Sequence, residues 1–496
     1  MQNKRTTQIL FSLFISCFIY SCTSNLNWGS DLESNLNSMA DSLMKDLSKL
    51  NKPNATYNVN DYGAIADSLT LNTKAIQQAI DTCANNGGGI VLFPEGNYVT
   101  GTIELKSNVY LNVDKNARII GSTDIKDYPD HIESLKSIMS ESYEFKQSLI
   151  YGEKLTNIGI IGNGEIYFRG EKEYFGGPET QTLIVDRPLG IRIIECKNVI
   201  VKDIHLSNSA AWMQNYLHCE NLLFKNMTVN NHANFNNDGL DLDGCKNAVV
   251  DGCFINAEDD AMCFKGASFY DTENIIVKNS TFLSTCNGFK IGTDTQGSFR
   301  NIIARNLILG GIPDSLESFR GHEASTGITL VTVDGGTVEN IILTDITINQ
   351  SRCPIFLRIG DRGRVMKGMP KPEPGSLQNI IIKNIDGKDN YTQGSLITGM
   401  EGYPVENVII KDMNISMQGG GTDSMAHATV PEDIAGYPDA HQFNREGLPA
   451  YGFYIRHAKN LILQNVKITT DSIDARPEFK YGNNVENVII NNKIIN

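Results

Sequence analysis

The chain has 496 residues, 41% of them hydrophobic and 20% charged, a balance that fits a soluble globular protein with an ample core. Asp and Glu total 57 against 43 Lys and Arg, and the net charge of −14 argues against nucleic acid or an anionic membrane as the main partner. An anionic substrate still has a place wherever basic residues gather locally.

Lys4 and Arg5 precede an apolar run from Ile9 to Tyr20 that is too short to span a bilayer comfortably. It ends Ile19-Tyr20-Ser21-Cys22, which resembles a bacterial lipoprotein signal; an ordinary secretory signal is the alternative. The resemblance implies a signal segment at 1–22 cleaved just before Cys22, lipidation of Cys22, and stable anchoring by two or more acyl chains. The expected location is the bacterial cell envelope, in the periplasm or as an outer-membrane lipoprotein. Residues 23–56 read as a polar tether followed by a short amphipathic helix. Leu32, Leu36, Met39, Leu43 and Leu47 stand at helical spacing, and the helix is expected to pack on the body.

Residues 57–496 read as one domain. It starts with a helix carrying Ala75, Ile76, Ala79, Ile80 and Cys83 on one face, stopped by Gly87-Gly88-Gly89. The runs IVLFP and YLNVDKNARIIG then predict strands. From Asn157 the chain repeats a unit: Asn, alternating apolar residues, then Asn or Asp. KNVIVKD, ENLLFKN, KNAVVDG and ENIIVKN are copies. The leading residues are Asn157, Asn198, Asn221, Asn247, Asn274, Asn301, Asn340, Asn379, Asn407, Asn460 and Asn487, with short spacings of 23 to 28 residues. These Val/Ile-rich runs lack the helical patterns of ankyrin or tetratricopeptide units and the consensus of leucine-rich repeats. They predict an all-β, right-handed, single-stranded parallel β-helix, each coil stacking its inward residues on the next. The repeated Asn suits a turn in the left-handed region and is expected to form a ladder. Three inserts interrupt the period, near 313–326, 361–375 and 418–449, and are expected to wall a cleft.

Asn236 to Lys265 holds Asp238, Asp241, Asp243, Asp251, Glu258, Asp259 and Asp260. Asp238 and the pair Asp259-Asp260 lie about one coil apart, so they are expected on the same side. Carboxyls brought together cannot all ionise freely, so one keeps a proton as an acid while others act as bases. Asp241 and Asp243 alternate with Leu240 and Leu242 and face outward, either shaping the site or meeting water. Cys196, Cys219 and Cys245 share one phase and predict an inward stack; whether any disulfide forms or the thiols stay reduced is left open. No CxxC or HxxxH spacing suggests zinc.

The repeat and the aspartates together resemble family 28 of the glycoside hydrolases, the polygalacturonase family. The resemblance covers roughly Tyr57 to the C-terminus. It rests on DYGA at 61–64, NTKAIQQAIDTC at 72–83, GGGIVLFPEGNY at 87–98, Asn208-Ser209-Ala210-Ala211-Trp212, and above all NND at 236–238 followed by EDD at 258–260. It implies inverting hydrolysis of a pectin-type polysaccharide, galacturonan or rhamnogalacturonan fragments, without cofactor or metal. Asp259 would protonate the leaving oxygen, Asp238 and Asp260 would activate water, and Asn236 would orient Asp238 or a sugar hydroxyl. Two departures stand out. Asn287 replaces the His of the family's Gly-His-Gly, and Gly327-Ile328-Thr329 replaces its Arg-Ile-Lys. Substrate contact then falls to Asn287 and to the cations Lys265, Lys290, Arg320 and Arg358, with Trp212, Arg456 and His457 as further candidates. A calcium-dependent lyase and a non-catalytic glycan-binding protein are the competing readings. The chain is expected to act as a monomer.

Overall fold

The computed structural model describes residues 28–50, 53–138, 146–176, 186–443 and 447–495. The signal segment and Cys22 therefore lie outside the described residues. The body is the expected parallel β-helix of right-handed winding. Twelve strands, from Ile103–Glu104 to Phe479–Tyr481, stack in chain order into one parallel sheet, so each strand pairs with its counterpart in the next coil. A second, 22-stranded sheet holds the other two faces. Lys246–Asp251 and Phe254–Ala257 occupy those faces in one coil, and from Thr272–Ser284 onward a single bent strand covers both. The antiparallel pairing of Val485–Ile490 with Lys493–Ile495 lies at the C-terminal end.

Alternation along each strand directs one set of side chains inward. Ile275 and Val277 fall in the central core, stacked on Ala248 and Val250 of the preceding coil and Ile302 and Ala304 of the next. The middle residue of each repeat points outward yet is also apolar. The helix at 28–47 explains this: Leu36, Ala40, Leu43 and Leu47 cover Val249, Ile276, Ile303, Ile342, Ile381 and Ile409. Lys383 bonds Glu33 on that helix at 2.8 Å. A second helix, Thr73–Asn85, closes the N-terminal end of the solenoid by burying Ile76, Ala79, Ile80 and Cys83 in the central core.

The leading Asn residues form the expected ladder. All eleven have φ between 52° and 60°. Each donates from Nδ2 to Oδ1 of the preceding one at 2.8–3.3 Å, and Asn108 extends the row beyond Asn157. A second row, unrecognised in the sequence, runs along the next turn. Asn226 bonds Asp203, Asn279 bonds Asp251 and Asn306 bonds Asn279, at 2.8–2.9 Å. Asn274→Ala removes two ladder bonds and puts in the left-handed region a residue that tolerates it less well than Asn. A loss of about 2–4 kcal/mol is expected, read as a lower urea midpoint, with Asn274→Gly losing less. A midpoint equal to wild type would contradict the ladder's contribution.

Cys196, Cys219 and Cys245 stack in the core as expected, and the eight described cysteines are all free and buried. The inserts pack on the outer face of the twelve-stranded sheet. Val430, Ala440, Phe443 and Leu448 of the longest one cover Val331, Cys353, Phe356, Leu396 and Tyr454.

Candidate active site

The site is built on three consecutive coils of the twelve-stranded sheet. Asp238 precedes the strand Leu240–Asp243, Asp259 and Asp260 precede Met262–Lys265, and Asn287–Ile291 follows in the next coil. Backbone bonds tie the turns together, with the Gly239 N–H on Asp260 O at 2.8 Å and the Asp259 N–H on Asn237 O at 3.2 Å. Within the strands, Leu240, Leu242, Met262, Phe264, Phe289 and Ile291 point into the core. Asp241, Cys263, Lys290 and Thr329 form one outward row, and Asp243 pairs with Lys265 in the next. The outward aspartates do not meet water. Asp241 and Asp243 are both buried, and Asp243 accepts from the Ser268 hydroxyl at 2.7 Å.

Two buried lysines balance the acidic cluster. The Lys265 ammonium lies 3.1 Å from Asp238 and 3.3 Å from Asp241, over the Trp212 ring at 4.4 Å. The Lys290 ammonium lies 3.0 Å from Asp260 and 2.9 Å from Asp439, which arrives on the longest insert. A third cation, Arg320, reaches Asp259 at 2.9 Å from the 313–326 insert. Five carboxyls thus face three cations.

Their protonation differs accordingly. Burial opposes ionisation of Asp260, but Lys290, Lys265 and the Asn287 amide, which donates at 2.6 Å, outweigh it and hold the carboxyl down at about 2. Burial pushes Asp241 up to about 7, against Lys265 and with the help of Asp260 and Asp259. Burial also raises Asp238 well above the carboxylate range despite Lys265. The Asp238–Asp241 pair over Lys265 is therefore harder to ionise than Asp260 beside it.

The cluster opens into a cavity of about 560 Å³, lined by Asn236, Asp259, Arg320, Arg352, Tyr437 and Asp439 among others. Of the residues expected to contact substrate, Asn236 and Arg320 reach this wall. Lys265 and Lys290 do not: their side chains are 7% and 3% exposed, each fixed between two carboxylates beneath the wall. Asn287 is buried as well, its oxygen accepting from the Thr326 and Thr329 hydroxyls, so it orients Asp260 from behind. Arg358 lies away from the cavity, its guanidinium on the Asp433 carbonyl and 4.2 Å from the Phe443 ring, where it anchors the longest insert. Arg456 does the same through the carbonyls of Val430 and Pro431, and His457 meets Glu432.

Several residues were not singled out by sequence reasoning. Asp439 comes from the aperiodic 418–449 insert, which carries no motif. Arg187 donates to the Asn236 side chain at 2.9 Å and fixes it from an unrelated loop. Glu258 had no assigned role, yet it is 1% exposed and collects donors from another insert.

Asp259, Asp260 and Cys286 bring potential metal-ligand atoms within 4.8 Å of one another. Arg320 and Lys290 already stand on these carboxylates, so a divalent ion would compete with fixed positive charge.

The parallel β-helix with an acidic cleft on one face, together with the family it matches, makes the protein a glycoside hydrolase, an enzyme acting on O-glycosidic bonds. Residues 83–435 match the glycosyl hydrolases family 28, and the chain belongs to that family. It is 25% identical over 382 residues to the "Probable polygalacturonase" of Vitis vinifera, covering 72% of this chain and 73% of that one. In structure it is similar to the family 28 exopolygalacturonase of Yersinia enterocolitica, with a TM-score of 0.67 and 18% identity over 89% of this chain and 79% of the other. The hyperthermoactive exopolygalacturonase of Thermotoga maritima gives a TM-score of 0.63 and 20% identity, over 92% of this chain and 97% of that one.

Proposed function

We propose that the chain hydrolyses glycosidic bonds of galacturonan-type pectic polysaccharide with inversion. Asp259 protonates the leaving oxygen, and Asp238 and Asp260 activate the attacking water. The observation that carries this reading is the convergence of the three aspartates from adjacent coils on one cavity, with Asp259 on its wall and Asp238 and Asp260 beneath. Coils stack at about 4.8 Å, and side-chain reach adds to that spacing. This is compatible with the roughly 6.5–9.5 Å between acid and base that admits a water molecule. Asp260, ionised throughout the working range, is the carboxylate ready to accept the water proton. Asp238 and Asp241 both stand on the Lys265 ammonium, and it is the ionised form of Asp238 that assists Asp260 with the water.

The relatives' names favour galacturonan; rhamnogalacturonan fragments are the other pectic substrate to test. Incubation with oligomers of each, with and without EDTA, separates the readings. Products heavier by one water, unaffected by EDTA, with the inverted anomer appearing first by proton NMR, are expected. Unsaturated, ultraviolet-absorbing products that require a divalent ion would replace this reading with a lyase.

A further inference from the structure

Glu258 immediately precedes the aspartate pair, yet its carboxylate turns away from it. Oε1 accepts from the Ser318 hydroxyl at 2.9 Å, the Phe319 N–H at 2.7 Å and the Arg320 N–H at 3.1 Å. Oε2 meets His232 Nδ1 at 3.0 Å, and His232 Nε2 meets Asn256 Oδ1 at 3.0 Å. Three consecutive residues of the 313–326 insert are thus held by one buried carboxylate rooted in the aspartate coil. The Phe319 ring adds a second hold on the same segment, lying 3.4 Å from the Lys172 ammonium and 5.4 Å from the Phe235 ring.

The residue so delivered is Arg320. Lys265 and Lys290 each hold two carboxylates and are buried. The neighbouring strand contributes Gly327 and Thr329, the latter's hydroxyl bonded to Asn287. Arg320 instead lines the cavity, has a side chain 37% exposed, and stands on Asp259. A planar guanidinium at that position matches a carboxylate two bonds at a time.

We propose that Glu258 is a positioning residue for substrate specificity: it pins the 313–326 loop so that Arg320 presents its guanidinium to the carboxylate of a uronic acid in the cavity. The assignment rests on the pectic-hydrolase reading for the identity of the sugar. D-galacturonate and D-galactose, which differ in that carboxylate, are the probes, with binding read by ligand-observed NMR on the full chain. The wild type is expected to prefer galacturonate. Arg320→Ala weakens galacturonate binding about tenfold or more and leaves galactose binding in place. Glu258→Ala reproduces that loss. Glu258→Gln recovers most of it, because its amide oxygen still accepts from the loop, and the double variant is no worse than Arg320→Ala. Galactose binding reports an intact cavity in every variant.

Any one of three results overturns the assignment: no galacturonate preference in the wild type, unchanged galacturonate binding in Glu258→Ala, or a Gln variant no better than the Ala variant. Product release from trigalacturonate judges the hydrolase reading separately. Cleavage without the preference removes Glu258's role and keeps the hydrolase; the preference without cleavage does the reverse.

Discussion

Asp259→Asn is expected to lower kcat on galacturonan oligomers by about 10²- to 10⁴-fold, the range that positioned proton transfer contributes. The substitution preserves shape. The Asn oxygen still accepts from the Asp260 N–H, which bonds Asp259 Oδ1 at 3.1 Å, while its amide nitrogen replaces the oxygen that meets Arg320. What it lacks is a transferable proton on the one member of the aspartate trio that lines the cavity. Reducing-end release under saturating oligomer checks it, with the urea midpoint confirming an unchanged fold. An Asn variant that turns over like wild type would take the acid role away from Asp259.

Lys290→Met should cost about 3–5 kcal/mol of stability at neutral pH, because it leaves Asp260 and Asp439 buried without their shared cation. The long apolar side chain fills the space but balances no charge. The loss has a definite pH dependence. Asp260 is held at about 2, below its ordinary value of 3.8, so its ionisation stabilises the fold above 3.8 and that contribution disappears as pH falls through about 2. Without Lys290 the folded-state value rises and the contribution shrinks. Urea unfolding should therefore show a full gap between wild type and variant at pH 7 that narrows as the medium becomes acidic. A gap independent of pH would point to packing rather than charge. Activity should fall as well, since Asp439 brings the longest insert against the aspartate coil through this lysine.

Asp241 contributes the opposite slope. Its folded-state value of about 7 lies above its ordinary 3.8, so its share of stability is present below 3.8 and is lost as pH rises through about 7. The cluster therefore holds one carboxyl made costly to protonate and, one coil away, a pair made costly to ionise.

Much of this could be read from residue order. The repeated Asn announced both the coil and the ladder, because a left-handed turn that bonds its neighbour above and below demands the same residue in every coil. The spacing of Asp238 from Asp259-Asp260 placed them on one face because a solenoid converts sequence period into position. The leucines at 32 to 47 announced a helix that packs on the body, although its target, the outward Ile of each repeat, was visible only as an unexplained excess of apolar residues. Asp241 and Asp243 were correctly placed facing outward, but outward proved to be beneath a roof of inserts.

The residues whose roles changed are those contacted by aperiodic chain. Lys265, Lys290 and Arg358 are cations in the right coils, and nothing in their order distinguishes an open side chain from one bound between carboxylates or under a loop. Asp439 and Arg320 arrive on inserts whose return path follows no period, and Glu258 was silent because its partners lie on one of them. The sequence by itself determined the solenoid, its Asn rows and the shared face of the catalytic candidates, since these depend on contacts repeated at nearly constant spacing. Only the tertiary structure decided which charges neutralise one another and which remain for a substrate. That depends on where three irregular loops come to rest, and buried ion pairs form wherever desolvation leaves a charge no alternative partner.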